Sequence, residues 1–217
     1  MAKFDILEQE GMRFVRMAIQ DEMVRAEAGA LAFMRGPIMM DAPIPSIGGA
    51  LKAMLSEQAI VRPKYTGTGQ VILEPSVGGY HIFECASEDW ILERGAYWCS
   101  EGSVDLGLFR ERVIPSFWIG DGIIDFRTRV GGEGLVVLNA QGPVEILQLN
   151  EERLAVEGRL VIARTHGLSY YVRRPTRTMI GYWISGEELV RVFEGTGKVM
   201  MAAYPYWNRR LLSAVER

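Results

Sequence analysis

The sequence predicts an all-β protein built from three tandem repeats of about 65 residues. The first observation is a recurring glycine motif, found as GTGQVIL at 67–73, GEGLVVL at 132–138 and GTGKVMM at 195–201. The second is an acidic pair that precedes a glycine and an apolar segment at the same period. The third is the glycine content, 24 of 217 residues, which suits a protein with many turns. Two independent signatures at one period indicate a repeated folding unit.

The acidic pairs define the first half of each repeat. They are Asp21-Glu22, Glu88-Asp89 and Glu151-Glu152, and the glycines that follow them are Gly29, Gly95 and Gly158. The third pair aligns either on its glycine or on its glutamate, one residue apart. Because similar acids recur at equivalent positions, we interpret them as solvated turn residues rather than as general acids and bases.

The Gly-x-Gly motifs are interpreted as repeat boundaries rather than as phosphate loops. A phosphate loop follows a strand and opens a helix, whose N–H groups face the anion. These motifs instead precede apolar strands, and no Lys-Ser or Lys-Thr follows them. We therefore expect Gly69, Gly134 and Gly197 to be turn residues with positive φ, or bulge residues where two backbones approach.

The period divides the chain into repeats of approximately 1–69, 70–134 and 135–197, followed by a C-terminal strand and helix at 198–217. We expect one compact domain, residues 1–217, because a 65-residue unit alone would bury only about 60% of its unfolded surface. Fused repeats also cover one another's sheet edges.

Local patterns support strands and two short helices. The segments VEILQL, FRTRV and LVRVF are short, rich in β-branched or aromatic residues and partly alternating, as in β-strands. Helices are expected at 46–58, where Ser46 is a candidate cap, and at 207–217. Both are short enough to need packing against the sheet.

Composition and charge exclude several classes. The formal net charge of −3 gives no overall attraction to nucleic acid or acidic membranes. No apolar run approaches the roughly 18 residues that cross a bilayer, and the acidic N-terminal segment does not resemble a signal or transit peptide. Two cysteines do not make a disulfide framework. We expect a cytoplasmic protein without a transmembrane segment.

The residues that could carry chemistry do not assemble into a catalytic motif. A zinc site could use His81, Cys85 and Cys99, but the Cys-x-x-Cys spacing is absent, and buried free cysteines are favoured. His166 is expected in an exposed hairpin turn. No nucleophile motif is present. The sequence therefore predicts neither catalytic residues nor a bound cofactor or metal.

Two features could form binding surfaces. Aromatic and basic residues alternate in a candidate anion or nucleic-acid patch that consists of Tyr170, Tyr171, Arg173, Arg174 and Arg177. Such side chains can stack on bases and pair with phosphates, or can form surface ion pairs. The second feature is a set of methionines near the first glycine-rich segment, which form either an adaptable binding surface or core filling. These are Met34, Met39, Met40 and Met54.

Three longer segments carry a family resemblance: EAGALAFMRGPIMMDA at 27–42, IGGALKAML at 47–55 and WILERGAYWCSEGSVDL at 90–106. The first has an acidic residue, Gly-Ala and then Met-x-Gly, and the second has a glycine-rich segment with a basic residue. In this order they resemble the altered-inheritance-of-mitochondria protein twenty-four family. The matching positions are Glu27, Gly29, Ala30, Met34, Gly36, Gly48, Gly49, Leu51 and Lys52.

The resemblance implies a fold and no reaction. It implies repeated short double-stranded β-helix units, similar to the tryptophan RNA-binding attenuation protein, and it brings no catalytic residues. Mitochondrial members of the family are associated with inner-membrane organisation.

The leading hypothesis is a non-enzymatic protein that acts by assembly or binding, as a homo-oligomer and with a protein partner as a further option. One alternative is a nucleic-acid or polyanion binder that uses residues 170–177. Another is a metal-dependent enzyme of cupin type.

Overall fold

The described residues form β-strands that join in one antiparallel sheet. The structure, a computed structural model, describes residues 2–42, 62–76, 78–111, 125–157, 160–173 and 190–202. The strands are β1 (Lys3–Gln9), β2 (Met12–Ala26), β3 (Leu31–Arg35), β4 (Ile38–Asp41), β5 (Lys64–Leu73), β6 (Tyr80–Ala86), β7 (Trp90–Leu92), β8 (Tyr97–Glu101), β9 (Val104–Glu111), β10 (Asp125–Asn139), β11 (Val144–Glu157), β12 (Val161–Thr165), β13 (Ser169–Arg173) and β14 (Val190–Ala202).

The predicted all-β class is confirmed for these residues, which include no helix. The helices expected at 46–58 and 207–217 lie outside the described residues. Within the described part of the chain, no helix has the length and apolar character needed to cross a membrane.

Three long strands, β5, β10 and β14, organise the sheet. β5 pairs with β2 and β14 pairs with β11, and each of these partners carries an acidic pair. β10 pairs with β6 and β7, which flank the remaining acidic pair. β5, β10 and β14 also pair with both strands of a hairpin, which are β3 and β4, β8 and β9, and β12 and β13 respectively. The described strands, apart from β1, therefore form three sets, each around one long strand.

Two short ladders join these sets. At the first seam β2 pairs with β8, through residues 24–26 and 99–101. At the second seam β7 pairs with β12, through residues 90–92 and 163–165. The order of the sheet then runs from β11 at one end to β3 at the other.

Two acidic pairs, Asp21-Glu22 and Glu151-Glu152, lie inside long strands rather than in the turns that the sequence suggested, and Glu88-Asp89 lies in the short connection between β6 and β7. The β2–β5 register shifts between Gln20 and Glu22, and β6 ends immediately before Ser87. The residues at these interruptions have positive φ, namely Asp21 at 58°, Ser87 at 60° and Glu151 at 56°. Since an extra residue bends a strand and increases its twist, these acids mark bends inside each set.

The repeated glycines lie inside the long strands rather than before them. A Cβ atom added to Gly69 would lie 2.2 Å from the Arg35 carbonyl oxygen of the adjacent hairpin. The corresponding distance is 2.6 Å from Gly134 to Ser103 Oγ and 2.4 Å from Gly197 to Thr165 Oγ1. Two backbone segments therefore approach closely at Gly69, whereas at Gly134 and Gly197 side-chain atoms of the adjacent hairpin occupy the place of a Cβ. Gly29 and Gly95 lie in the turns before β3 and β8, and Gly158 lies outside the described residues.

The core is continuous across the seams. The cluster around β10 includes Ile162 and Met200 from the third set of strands. The cluster around β5 includes Cys99 and Val137 from the second set. Because each buried side chain of this size contributes about 1.5–3 kcal/mol, the sets stabilise one another.

Candidate functional site

The candidate patch at 170–177 is divided between two faces of β13. Tyr170, Tyr171 and Arg173 lie on this strand, and Arg174 and Arg177 lie outside the described residues. Successive side chains of a strand point to opposite faces. Tyr170 therefore faces one side of the sheet, and Tyr171 and Arg173 face the other.

The Tyr170 ring is engaged inside the protein. It packs on Phe193, with 5.5 Å between ring centroids. The guanidinium carbons of Arg164 and Arg191 lie 5.3 Å and 6.0 Å from its centroid, within the range of cation–π contacts. Burial raises the pKa of Tyr170. A base would have to displace these groups before stacking on this ring.

Tyr171 is held by an acidic side chain. Its hydroxyl donates to Glu194 Oε1 at 2.8 Å, and this hydrogen bond raises the pKa of Tyr171. Arg153 Nε lies 3.2 Å from the same carboxylate oxygen. Arg173 is exposed. Nucleic-acid binding by the patch stays a prediction.

Buried ion pairs link the second and third sets of strands. Arg164 donates to both carboxylate oxygens of Glu111, at 2.6 and 2.8 Å, and both side chains are largely buried. Glu93 Oε1 lies 2.6 Å from Arg191 Nη1, and the Glu93 carboxylate also forms an ion pair with Arg127. Sequence reasoning missed these residues because the partners come from strands distant along the chain, and no local motif marks them.

A groove lies at each seam, and the two grooves differ in charge. The first, of about 570 Å³, is lined by Glu22, Glu84, Glu101 and Glu133 among others. Glu101 accepts the backbone N–H of Leu135 at 2.8 Å.

The second groove, of about 400 Å³, contains acids that have cationic partners. Lys198 Nζ lies 2.5 Å from Glu88, and Arg129 lies 2.7 Å from Asp89. Among the described residues, no three His, Cys, Asp or Glu side chains are arranged to hold a metal ion.

The histidines and cysteines occupy structural positions. Cys85 and Cys99 are buried free thiols, as predicted, and the Cys85 thiol donates to the Glu88 carbonyl at 3.2 Å. Burial raises the pKa of Cys85 to about 11 and lowers the pKa of His81. His166 lies exposed in the turn between β12 and β13, as predicted, with its ring edge-on to Phe109 at 5.3 Å.

The hairpin of β3 and β4 exposes four large apolar side chains to solvent. The exposed fractions are 57% for Phe33, 42% for Met34, 74% for Met39 and 49% for Met40. Of the two interpretations of these methionines, the structure supports an exposed surface rather than core filling. Met54 lies outside the described residues. We call residues 31–41 the apolar hairpin.

Comparison with known proteins shows relatives of this fold. The crystal structure of protein SPYM3_0169 from Streptococcus pyogenes superposes with a TM-score of 0.73 at 17% identity, over 100% of this chain and 99% of that chain. At that identity the match shows a shared fold. No curated protein sequence matches the chain. The family model described as mitochondrial biogenesis AIM24 matches residues 4–204, nearly the whole sequence. The chain therefore belongs to the AIM24 family, as its motifs indicated.

Proposed function

We propose that this protein is a non-enzymatic β-repeat protein that acts by assembly, as a homo-oligomer. The observation that carries the proposal is the apolar hairpin, because exposed large apolar side chains clustered on one element of a folded protein mark an interaction site. Its exposed side chains include an aromatic ring and three methionines, residue types that interfaces favour.

We infer further that the chain consists of three repeats of one unit, related to the tryptophan RNA-binding attenuation protein fold. The three sets of strands support this inference, since each contains a long strand, a bent partner and a hairpin. The positive-φ residues Asp21, Ser87 and Glu151 occupy similar places in the three sets. A protein made of such units binds through surfaces that neighbouring units do not cover.

Native mass spectrometry of the purified chain tests the assembly proposal. We expect a discrete multiple of the bare-chain mass, and conversion toward monomer in Met34→Lys. The matched control is Leu108→Lys, because Leu108 on β9 is also exposed, at 40%, but lies outside the apolar hairpin. A monomer at all concentrations would contradict the proposal, and retained RNA would instead favour the polyanion binder.

A further inference from the structure

The two seams of the sheet are built alike. In each, three residues that follow a strand interruption pair with three residues of the first strand of the next hairpin. The flanking hydrogen bonds also correspond. Gly102 N–H donates to the Met23 carbonyl at 2.9 Å in the first seam, and His166 N–H donates to the Asp89 carbonyl at 3.0 Å in the second.

Pairing with the long strands identifies the residues that would form a third seam. Val24 pairs with the residue two positions before Gly67, and Trp90 pairs with the residue two positions before Gly132. Leu154 pairs with Phe193, which lies two positions before Gly195. Residues 154–156 of β11 therefore correspond to 24–26 and 90–92. By the same reasoning, Phe33, Cys99 and Ala163 correspond, because they pair with Ile72, Val137 and Met200. Residues 33–35 of β3 therefore correspond to 99–101 and 163–165.

Neither of these two edges has a seam partner among the described residues. β3 pairs only with β5, and β11 pairs only with β14. β4, β9 and β13 also have one neighbour each, but that is the same in all three sets. Among the described residues, β3 and residues 154–156 of β11 lack the seam partner that their counterparts have, and β6 and residues 144–149 of β11 lack the partner that β1 provides for β2.

β3 is more exposed than its counterparts β8 and β12, as the absence of a partner strand would cause. Four of the five β3 residues are exposed, whereas four of five residues are buried in both β8 and β12. On the other edge Ala155 is exposed. Unpaired apolar edges recruit another strand, and natural proteins usually protect them.

We propose that β3 of one copy of this chain pairs with β11 of a second copy and forms a third seam between molecules. The register of the other seams places Phe33 opposite Val156, Met34 opposite Ala155 and Arg35 opposite Leu154. Arg35 is then diagonal to Glu152, within reach of a long side chain. This inference rests on the proposed assembly and identifies the surfaces that assemble. Because the two edges differ, the contact is head-to-tail, and the discrete oligomer expected above requires it to close as a ring or as a reciprocal dimer.

Cysteine crosslinking between differently substituted chains tests the register. Met34→Cys and Ala155→Cys proteins are mixed and treated with a short bismaleimide. The native cysteines give little background, because both are buried and burial raises the pKa of each thiol. We expect a covalent dimer in the mixture, severalfold above either protein alone. The matched control replaces Met34→Cys by Met39→Cys, which is more exposed but outside the predicted pairing.

The outcomes separate this inference from the proposed function. A dimer specific to the Met34→Cys and Ala155→Cys mixture supports the seam. An oligomer that forms without that crosslink overturns the seam and leaves the assembly proposal standing. A chain that is monomeric by native mass spectrometry overturns both. A Met34→Cys/Ala155→Cys double variant that crosslinks only within one chain overturns the intermolecular seam, because the two edges then close on each other.

Discussion

The substitution Gly69→Ala tests why glycine recurs at this position. Gly69 has φ of +152°, a conformation that residues with a Cβ rarely adopt. The added methyl group would lie 2.2 Å from the Arg35 carbonyl oxygen and 3.1 Å from the Gly36 Cα. Both are backbone atoms, so the hairpin has to move away from β5 to accommodate it.

The expected cost follows from these two effects. Overpacking costs about 1–3 kcal/mol, and the strained backbone adds roughly 1–3 kcal/mol. We therefore expect Gly69→Ala to lower the free energy of unfolding by about 2–6 kcal/mol, since both effects act at one residue. In a chain of this size that corresponds to a fall in Tm of about 4–24 °C.

Two matched glycines separate the clash from the backbone strain. Gly95 has φ of +72° but no atom within 4 Å of an added Cβ, so Gly95→Ala carries strain alone, roughly 1–2 kcal/mol. Gly107 has neither a positive φ nor a close neighbour, and its substitution should change stability by less than about 1 kcal/mol. Denaturant unfolding followed by tryptophan fluorescence measures all three.

Equal stability of Gly69→Ala and Gly107→Ala would refute the close-approach explanation. If Gly69→Ala had normal stability but lost a bound phosphate compound, the phosphate-loop interpretation would be correct instead.

Three further predictions concern charges and thiols. Arg164→Met should destabilise the fold by about 3–5 kcal/mol in denaturant unfolding, because it leaves the Glu111 carboxylate buried without this partner; a loss below about 1 kcal/mol would show the pair to be dispensable. The Arg16 hydrogen bond lowers the pKa of Asp5 below its ordinary 3.8, so this pair stabilises the fold above pH 3.8 and loses that effect as pH falls further. The stability difference between wild type and Asp5→Asn should therefore shrink in acid, and a difference that is constant with pH would contradict this. Cys85 should resist iodoacetamide at neutral pH until the chain unfolds, as measured by mass spectrometry; rapid labelling of the native protein would contradict its burial.

The sequence predicted the features that recur along the chain. Gly69, Gly134 and Gly197 stand out because close approach of a hairpin excludes every side chain, and that requirement is visible in the residue itself. The acidic pairs were found because they recur at the same period, but the position of Asp21-Glu22 and Glu151-Glu152 inside long strands was not predicted. A bulge and a turn favour similar residues, so composition alone does not separate them.

Contacts between distant strands were not predictable. Arg164 and Glu111 are 53 residues apart, and neither belongs to a recognisable motif. Which methionines are exposed was also not predictable from the sequence, since Met17 and Met34 both lie in apolar strands. Met17 is fully buried in the middle of the sheet and Met34 is exposed at its end. That difference depends on sheet order, which is a property of the whole chain.

Hydrogen exchange at the two sheet ends tests whether the chain assembles through β3 and β11. Exchange is measured by mass spectrometry at high and low protein concentration, for peptides covering 31–41 and 150–157. We expect both peptides to gain protection together at high concentration, while a peptide covering β8 is protected at both concentrations because its seam lies within the chain. Exchange at 31–41 and 150–157 that is independent of concentration, in a protein that is oligomeric, would contradict this expectation.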